Sequence, residues 1–238
     1  MELRNLYREP ESRPEVAFGA LELHDVFRIF RSGPAETVAL RGLDLRIERG
    51  ELVALHGPSG SGKSTALHLA AGLDEPSAGE VRVFGRSLAG LTEAELANYR
   101  AREVSVVFQS GNLWPVLSAR ENVAIALRLA GRRRGRRDAV DRALDAFDLQ
   151  HREQQRAGSL SGGEQQRVAI AAAAARESPL VLADEPTAEL DAHNEQKVLR
   201  AFHRLRDEFG STVVLVTHST RVADAVDRVI ELRDGVAV

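Results

Sequence analysis

The sequence contains no cysteine. Disulfides, cysteine-zinc centres and thiol catalysis are therefore excluded, and a reducing compartment suits the chain. Lysine is almost as scarce: of 32 basic residues only Lys63 and Lys197 are lysines, a bias read here as base composition of the gene. Long apolar runs are also missing. The longest, Val168–Ala175, falls far short of the roughly 20 residues a bilayer helix needs. The opening MELRNLYREPESRPEV lacks the apolar core of a signal peptide, so residues 1–17 are expected to form a polar tail. These absences predict a soluble, cytoplasmic chain. A net charge of −3 and a pI near 6.2 argue against bulk attraction to nucleic acid, so no nucleic-acid partner is expected.

What is present is ample apolar content, 43% over 238 residues, enough for one large domain. Strand-like runs occur at FGALELHDVFRIF, RGLDLRIERGELVALHG (two short strands about Arg49–Gly50), Glu80–Phe84 and EVSVVFQ, the last ending at Gln109. Helices are expected over Lys63–Ala71 and over Glu93–Arg102, the latter N-capped by Thr92. From Gly111 to about Gly158 the pattern turns helical, through ARENVAIALRLAG and RDAVDRALDAFDL. Strands return at Pro179–Glu185, Ser211–His218 and Asp227–Gly235, with helices between them. Alternating strands and helices predict an α/β fold with a mostly parallel sheet, interrupted by an inserted helical subdomain. The core is then 18–110 and 159–238 and the insert 111–158. Between the insert's helices, Gly131–Asp138 reads as a solvated arginine-rich loop, contact with anionic lipid being the sharper alternative.

GPSGSGKST meets the phosphate-loop pattern at Gly57, Gly62, Lys63 and Ser64, after an apolar strand and before a helix. Its residues Gly57, Pro58, Ser59, Gly60, Ser61, Gly62, Lys63, Ser64 and Thr65 are the candidate ATP cradle. Lys63 would neutralise the β- and γ-phosphates and Ser64 would ligate Mg²⁺. LVLADE is an apolar strand whose first polar groups, Asp184 and Glu185, emerge at its carboxyl end, the edge where open parallel sheets bind ligands. Asp184 would hold Mg²⁺ through water and Glu185 would polarise the attacking water. Gln109 and His218 also follow apolar strands at that edge: Gln109 would monitor Mg²⁺ and the water, and His218 would sense the γ-phosphate.

A second phosphate-like helix start is SLSGGEQQRVAI, Ser159–Ile170, where uncapped N–H groups and the helix dipole favour an anion. With LSGGEQQ, the set in this order resembles the ATP-binding subunits of ABC transporters, over essentially all of Phe18–Val238. The resemblance implies a P-loop ATPase core, an antiparallel β subdomain and a helical subdomain. It also implies ATP and Mg²⁺ as cofactors, and two copies meeting head to tail. Ser161, Gly162, Gly163 and Glu164 would then contact the ATP of the other copy, Leu190 and Asp191 would form the dimer loop, and Phe30 would stack on adenine. LADEPT, GLDEPSAGEV and THSTRVADAVDRVIELRDG look most like the branch of lipoprotein-release and macrolide-export ATPases, close to the cell-division group. Its permeases have four membrane helices and often a large outer domain, so the resemblance implies a peripheral place on the inner face of the cell membrane. The permease would dock near Ser110–Val116, at Leu113 and Trp114. Ala188–Glu189, Ala172, Ala174 and Phe30 depart from that branch's usual residues.

Three rivals remain from sequence, the weakest an ATP-binding regulatory module that does not hydrolyse, against which Glu185 and His218 argue. A soluble ABC ATPase acting on DNA or ribosomes would bring long coiled coils, zinc cysteines or two ATPase cores, none of which this sequence carries. A cell-division-type ATPase driving an extracytoplasmic enzyme would carry the same motifs as an exporter.

Overall fold

The computed structural model describes residues 18–238 apart from Pro34, Arg133 and the side chain of Ser32, so the expected tail 1–17 lies outside the described residues. The first unit is an antiparallel sheet in the order β2-β1-β4-β5. It comprises β1 (Leu21–Ser32), β2 (Ala35–Ile47), β4 (Ala78–Val83) and β5 (Arg86–Ser87). The β1–β2 hairpin is longer than the short strand read from RGLDLRI, because β2 begins at Ala35. Its first residues are solvent-facing and carry no apolar alternation, so only pairing with β1 reveals them.

The second sheet has the order β10-β9-β3-β8-β7-β6. Its strands β3 (Leu52–His56), β6 (Val104–Val107), β7 (Leu180–Asp184), β8 (Thr212–Thr217) and β9 (Arg228–Arg233) run parallel, and β10 (Val236–Ala237) closes the edge antiparallel. The central strands are near-continuous apolar runs because both faces are covered. Val53, Leu55, Leu180, Leu182, Val214 and Val216 face α1 (Lys63–Ala70) and the antiparallel sheet. Leu52, Val181, Ala183, Val213 and Leu215 face the other cluster. That second cluster is built from α3 (Ala119–Leu129), α4 (Arg136–Ala146), α5 (Gly162–Arg176) and α6 (Ala192–Phe209). Two short helices complete the chain, α2 (Glu93–Arg102) and α7 (Thr220–Ala223). Thr92 does cap α2, through a reciprocal box with Glu95.

Two sequence readings shift. β6 stops at Val107 rather than at Gln109, because Asn112 accepts from Phe108 N–H at 2.8 Å and donates to Phe108 C=O at 2.7 Å. With its N–H given to Asn112 and its C=O shared by the Asn112 and Gln166 amides, Phe108 has nothing left for a ladder. The arginine-rich segment is not all loop either: α4 starts at Arg136, after Gly135 at φ 64, so Arg136–Asp138 form its first turn. Arg132 is pinned as well, donating to Ala175 C=O and Glu177 at 2.9 Å each. Between β6 and α5 the described residues hold α3, α4 and two single-turn helices, and no strand. Among the described residues no helix is long and apolar enough to cross a membrane.

Candidate active site

Parallel register brings four strand ends to one edge. His56 pairs with Thr217, Asp184 with Val216 and Val107 with Ala183, so the chain leaves β3, β6, β7 and β8 at one level. β3 runs out at Gly57, whose backbone passes so near β9 that an added Cβ would stand 2.1 Å from Leu232 C=O. Gly62 caps α1 at φ 97, with a Cβ position 2.5 Å from Ala39 C=O. Only glycine fits either place. Pro58, Ser59, Gly60 and Ser61 form the turn between, and Lys63, Ser64 and Thr65 open α1 with no acidic side chain in its first turn. Its free N–H groups and dipole are thus left for an anion.

Lys63 is 6% exposed, and its Nζ donates to the carbonyls of Gly57 and Pro58 at 2.8 Å each and to Ser61 Oγ at 3.4 Å. Burial pulls its pKa down, while the charges of Glu185 and Asp184 oppose that shift. Phosphate oxygens would be stronger acceptors for this ammonium than neutral carbonyls are. Ser64 Oγ donates to Asp184 Oδ1 at 2.9 Å, tying the start of α1 to the end of β7. A hydroxyl and a carboxylate are the oxygen donors Mg²⁺ takes, together with phosphate and water. Among the described residues no group of three His, Cys, Asp or Glu could hold a metal by itself. The residues present therefore fit a Mg²⁺ shared with a phosphate ligand.

Glu185 takes φ 47, a left-handed conformation that is uncommon outside glycine, with its N–H bonded to Val216 C=O at 3.0 Å. From there its Oε1 lies 2.9 Å from His218 Nδ1, just past the end of β8. The two side chains line a cavity of about 360 Å³ with Leu190 and Arg221. Gln109 joins neither Ser64 nor Asp184 by a hydrogen bond; its Nε2 donates to Glu189 Oε1 at 3.0 Å. Phe30 is 42% exposed on β1, outside the core, with the Arg28 guanidinium 4.5 Å from its ring centre.

The second expected anion site lies at the start of α5, and here the structure differs from the sequence reading: the helix start is capped rather than uncapped. Ser161 caps it reciprocally with Glu164: Ser161 N–H donates to Glu164 Oε2 at 2.9 Å and Glu164 N–H donates to Ser161 Oγ at 3.3 Å. Burial pushes the Glu164 carboxyl up, but the Ser161 N–H and hydroxyl and the Arg152 guanidinium outweigh it and hold the pKa low. Gly162 and Gly163 let this helix start approach Leu190 and the first turn of α6 closely. A Cβ on Gly162 would meet Leu190 at 3.2 Å, and one on Gly163 would meet Asn194 at 3.0 Å. Asp191 caps α6, accepting from Asn194 N–H and Nδ2 at 2.8 Å each, and the Asn194 N–H chiefly holds its pKa low. No hydrogen bond or ion pair among the described residues joins 57–65 to 161–164, so the two glycine-containing helix starts stand apart in the chain.

One contributor was not visible in the sequence. Gln166, 4% exposed on α5, donates through Nε2 to Gln109 C=O at 2.6 Å and Phe108 C=O at 3.0 Å, and accepts from Asn112 at 3.2 Å. It bolts the Gln109 turn to the helix that begins at Ser161. A glutamine 57 residues away carries no signal of that role.

Comparison with known proteins agrees with this geometry. Residues 40–188 match the family model described as ABC transporter. The lipoprotein-releasing system ATP-binding protein LolD of Anaeromyxobacter dehalogenans is 43% identical over 226 residues, covering 92% of this chain and 93% of that protein. The macrolide export ATP-binding/permease protein MacB of Azoarcus sp. is also 43% identical, over 90% of this chain, but the chain spans only 33% of that relative's length. A solved dimeric ATP-binding cassette, in a post-hydrolysis state bound to ADP and Pi, superposes with a TM-score of 0.82 at 38% identity, covering 91% of this chain and 96% of that one. A family match over most of the chain and a glycine loop of phosphate-binding pattern at the sheet edge lead to one conclusion: the chain belongs to the ABC transporter family as an ATP-binding, ATP-hydrolysing subunit.

Proposed function

We propose that two copies of this chain close head to tail on two ATP molecules and that the cycle drives a membrane permease. The hydrolytic part is carried by the juxtaposition of two hydrogen bonds, Ser64 to Asp184 and Glu185 to His218, beside the 57–65 loop, and likeness to a dimeric ATP-binding cassette supports the pairing. ATP phosphates would displace the Gly57 and Pro58 carbonyls from Lys63 Nζ and take the N–H groups of Gly60–Thr65. Mg²⁺, held by Ser64 and Asp184 with Gln109 turning in from Glu189, would neutralise charge on the phosphates. Glu185 draws a proton from water as its oxygen attacks the γ-phosphorus in line, and the bond to the bridging oxygen breaks. His218 holds Glu185 through Nδ1 and leaves its other ring nitrogen for the γ-phosphate.

The second copy would supply Ser161 and the Gly162 and Gly163 N–H groups at the start of α5, where Ser161 and Gly162 are exposed, Gly163 is buried and the Glu164 box fixes the first turn. Leu190 and Asp191 would meet the other subunit. Closure then depends on nucleotide, and release of products opens the pair. Phe30, exposed on β1, supports stacking on adenine rather than core packing. The expected division into a core and a helical insert, 111–158, gives the permease its seat. A pocket of about 120 Å³ beside Trp114, Leu113, Asn112 and Ala172 suits one side chain of a cytoplasmic permease helix lying across it, with the ATPase on the inner face of the membrane. Likeness to lipoprotein-release and macrolide-export ATPases favours a four-helix permease with an outer domain.

The test is the ATP hydrolysis rate per subunit against protein concentration. Shared sites predict a rate per subunit that climbs with concentration and then levels. A rate per subunit constant down to nanomolar protein would mean each copy works alone. For the docking seat, Trp114→Ala should abolish permease stimulation and leave the isolated rate intact; unchanged stimulation would remove that part of the proposal.

A further inference from the structure

A separate cavity of about 410 Å³ opens among the end of α4, the turn after it, α5 and α6. Its walls carry five full cations, Arg152, Arg167, Lys197, Arg200 and Arg204, against the carboxylates of Asp148 and Glu164. Some are already engaged: Glu164 accepts from Arg152 Nε at 2.8 Å, and Arg204 pairs with Glu208 at 3.2 Å. Three are not. Arg167 is 9% exposed, its Nη1 is closed off without an acceptor, and among the described residues its guanidinium forms no hydrogen bond or ion pair. Lys197 and Arg200, one turn apart on α6, likewise form none among the described residues.

A guanidinium stays protonated in any protein setting, and burying it without an acceptor costs free energy. Burial accordingly pulls the Arg167 pKa down, with Glu164 and Asp148 opposing from the cavity wall. The side chain is most at ease with an anion beside it. We propose that this cavity binds a phosphorylated small molecule, with Arg167 at its floor and Lys197 and Arg200 at its rim. Three convergent unpaired cations match the several oxygens of a phosphate group, and the arginine fork fits two of them at once. The volume lies within the range of small-molecule sites. A flat anionic surface would reach the exposed Arg200 but not Arg167 beneath it.

The experiment is calorimetric titration of inorganic pyrophosphate into the full chain saturated with ADP, so that the 57–65 loop is already filled. One further equivalent should bind. Lys197→Ala with Arg200→Ala should weaken that binding at least 10-fold while ADP affinity stays unchanged. Arg167→Met should also abolish it, and the double variant stands as the control should Arg167→Met fail to fold. No uptake in the presence of ADP, or uptake undiminished in the double variant, overturns the proposal. So does adhesion to phosphatidylglycerol vesicles that the double variant loses while pyrophosphate never binds, which would give these cations to a lipid surface.

Discussion

Gln166 offers the sharpest structural prediction. Its amide holds the carbonyls of Phe108 and Gln109 and its oxygen accepts from Asn112, so Gln166→Ala deletes three hydrogen bonds at once. The losses are unequal. Phe108 C=O keeps the Asn112 amide, whereas Gln109 C=O has no second protein donor among the described residues. A neutral hydrogen bond contributes about 1 kcal/mol net, and a carbonyl stranded in a partly buried place costs ~1–3 kcal/mol. With water reaching part of the turn, the total is about 2–3 kcal/mol. At roughly 2–4 °C per kcal/mol for a chain of this size, Tm should fall by about 4–12 °C. Gln166→Glu keeps the size and the acceptor but loses the donor and buries a charge against two carbonyl oxygens, so it should cost more than alanine. Thermal unfolding gives the Tm, and hydrogen exchange at the amides of Phe108–Asn112 reports whether the turn has loosened. A Tm within 1 °C of the parent with unchanged exchange in that turn would refute the reasoning.

Phe30→Ala should weaken ATP binding by about 3- to 10-fold, the ~0.5–1.5 kcal/mol of one aromatic stacking contact, with Tm unmoved because the ring is already exposed. Nucleotide titration decides it, and a fall in Tm with unchanged affinity would return the ring to a packing role. Asp227 is tied to Arg206 at 2.6 Å and accepts from Leu52 N–H at 2.9 Å, and Arg206 chiefly holds its pKa below the usual carboxylate range. A lowered folded pKa means stability that is full above the ordinary carboxylate pKa and lost as pH falls through the lowered folded value. The advantage of the parent over Asp227→Asn should therefore be complete at neutral pH and shrink in acid; denaturant unfolding at several pH values measures it, and an advantage that grows in acid would contradict the sign.

The most legible parts of the chain were those whose chemistry is local. Gly57, Gly62, Lys63 and Ser64 stand at fixed spacing after an apolar strand, and each sits where that spacing put it. Thr92 and Ser161 announced helix starts because a short polar side chain followed three residues later by glutamate closes a box within one turn. What escaped depended on residues distant in the chain. The end of β6 is decided by the Asn112 side chain, and the Gln109 turn by Gln166 from another helix. The partner that the Gln109 amide takes in this structure, Glu189, is likewise 80 residues away. The basic cavity was equally hidden, since Arg167 and Lys197 converge only when α5 and α6 pack side by side.

The central claim is that each ATP is shared between the 57–65 loop of one copy and Ser161–Gly163 of the other. Glu185→Gln should stall the bond-breaking step and keep the sandwich closed, so light scattering after gel filtration measures it directly. With MgATP the variant should elute at twice the subunit mass of 26.0 kDa, and Ser161→Arg added to it should restore the single mass. A Glu185→Gln chain that binds ATP and still elutes at the single mass, or a dimer indifferent to Ser161→Arg, would contradict the shared site.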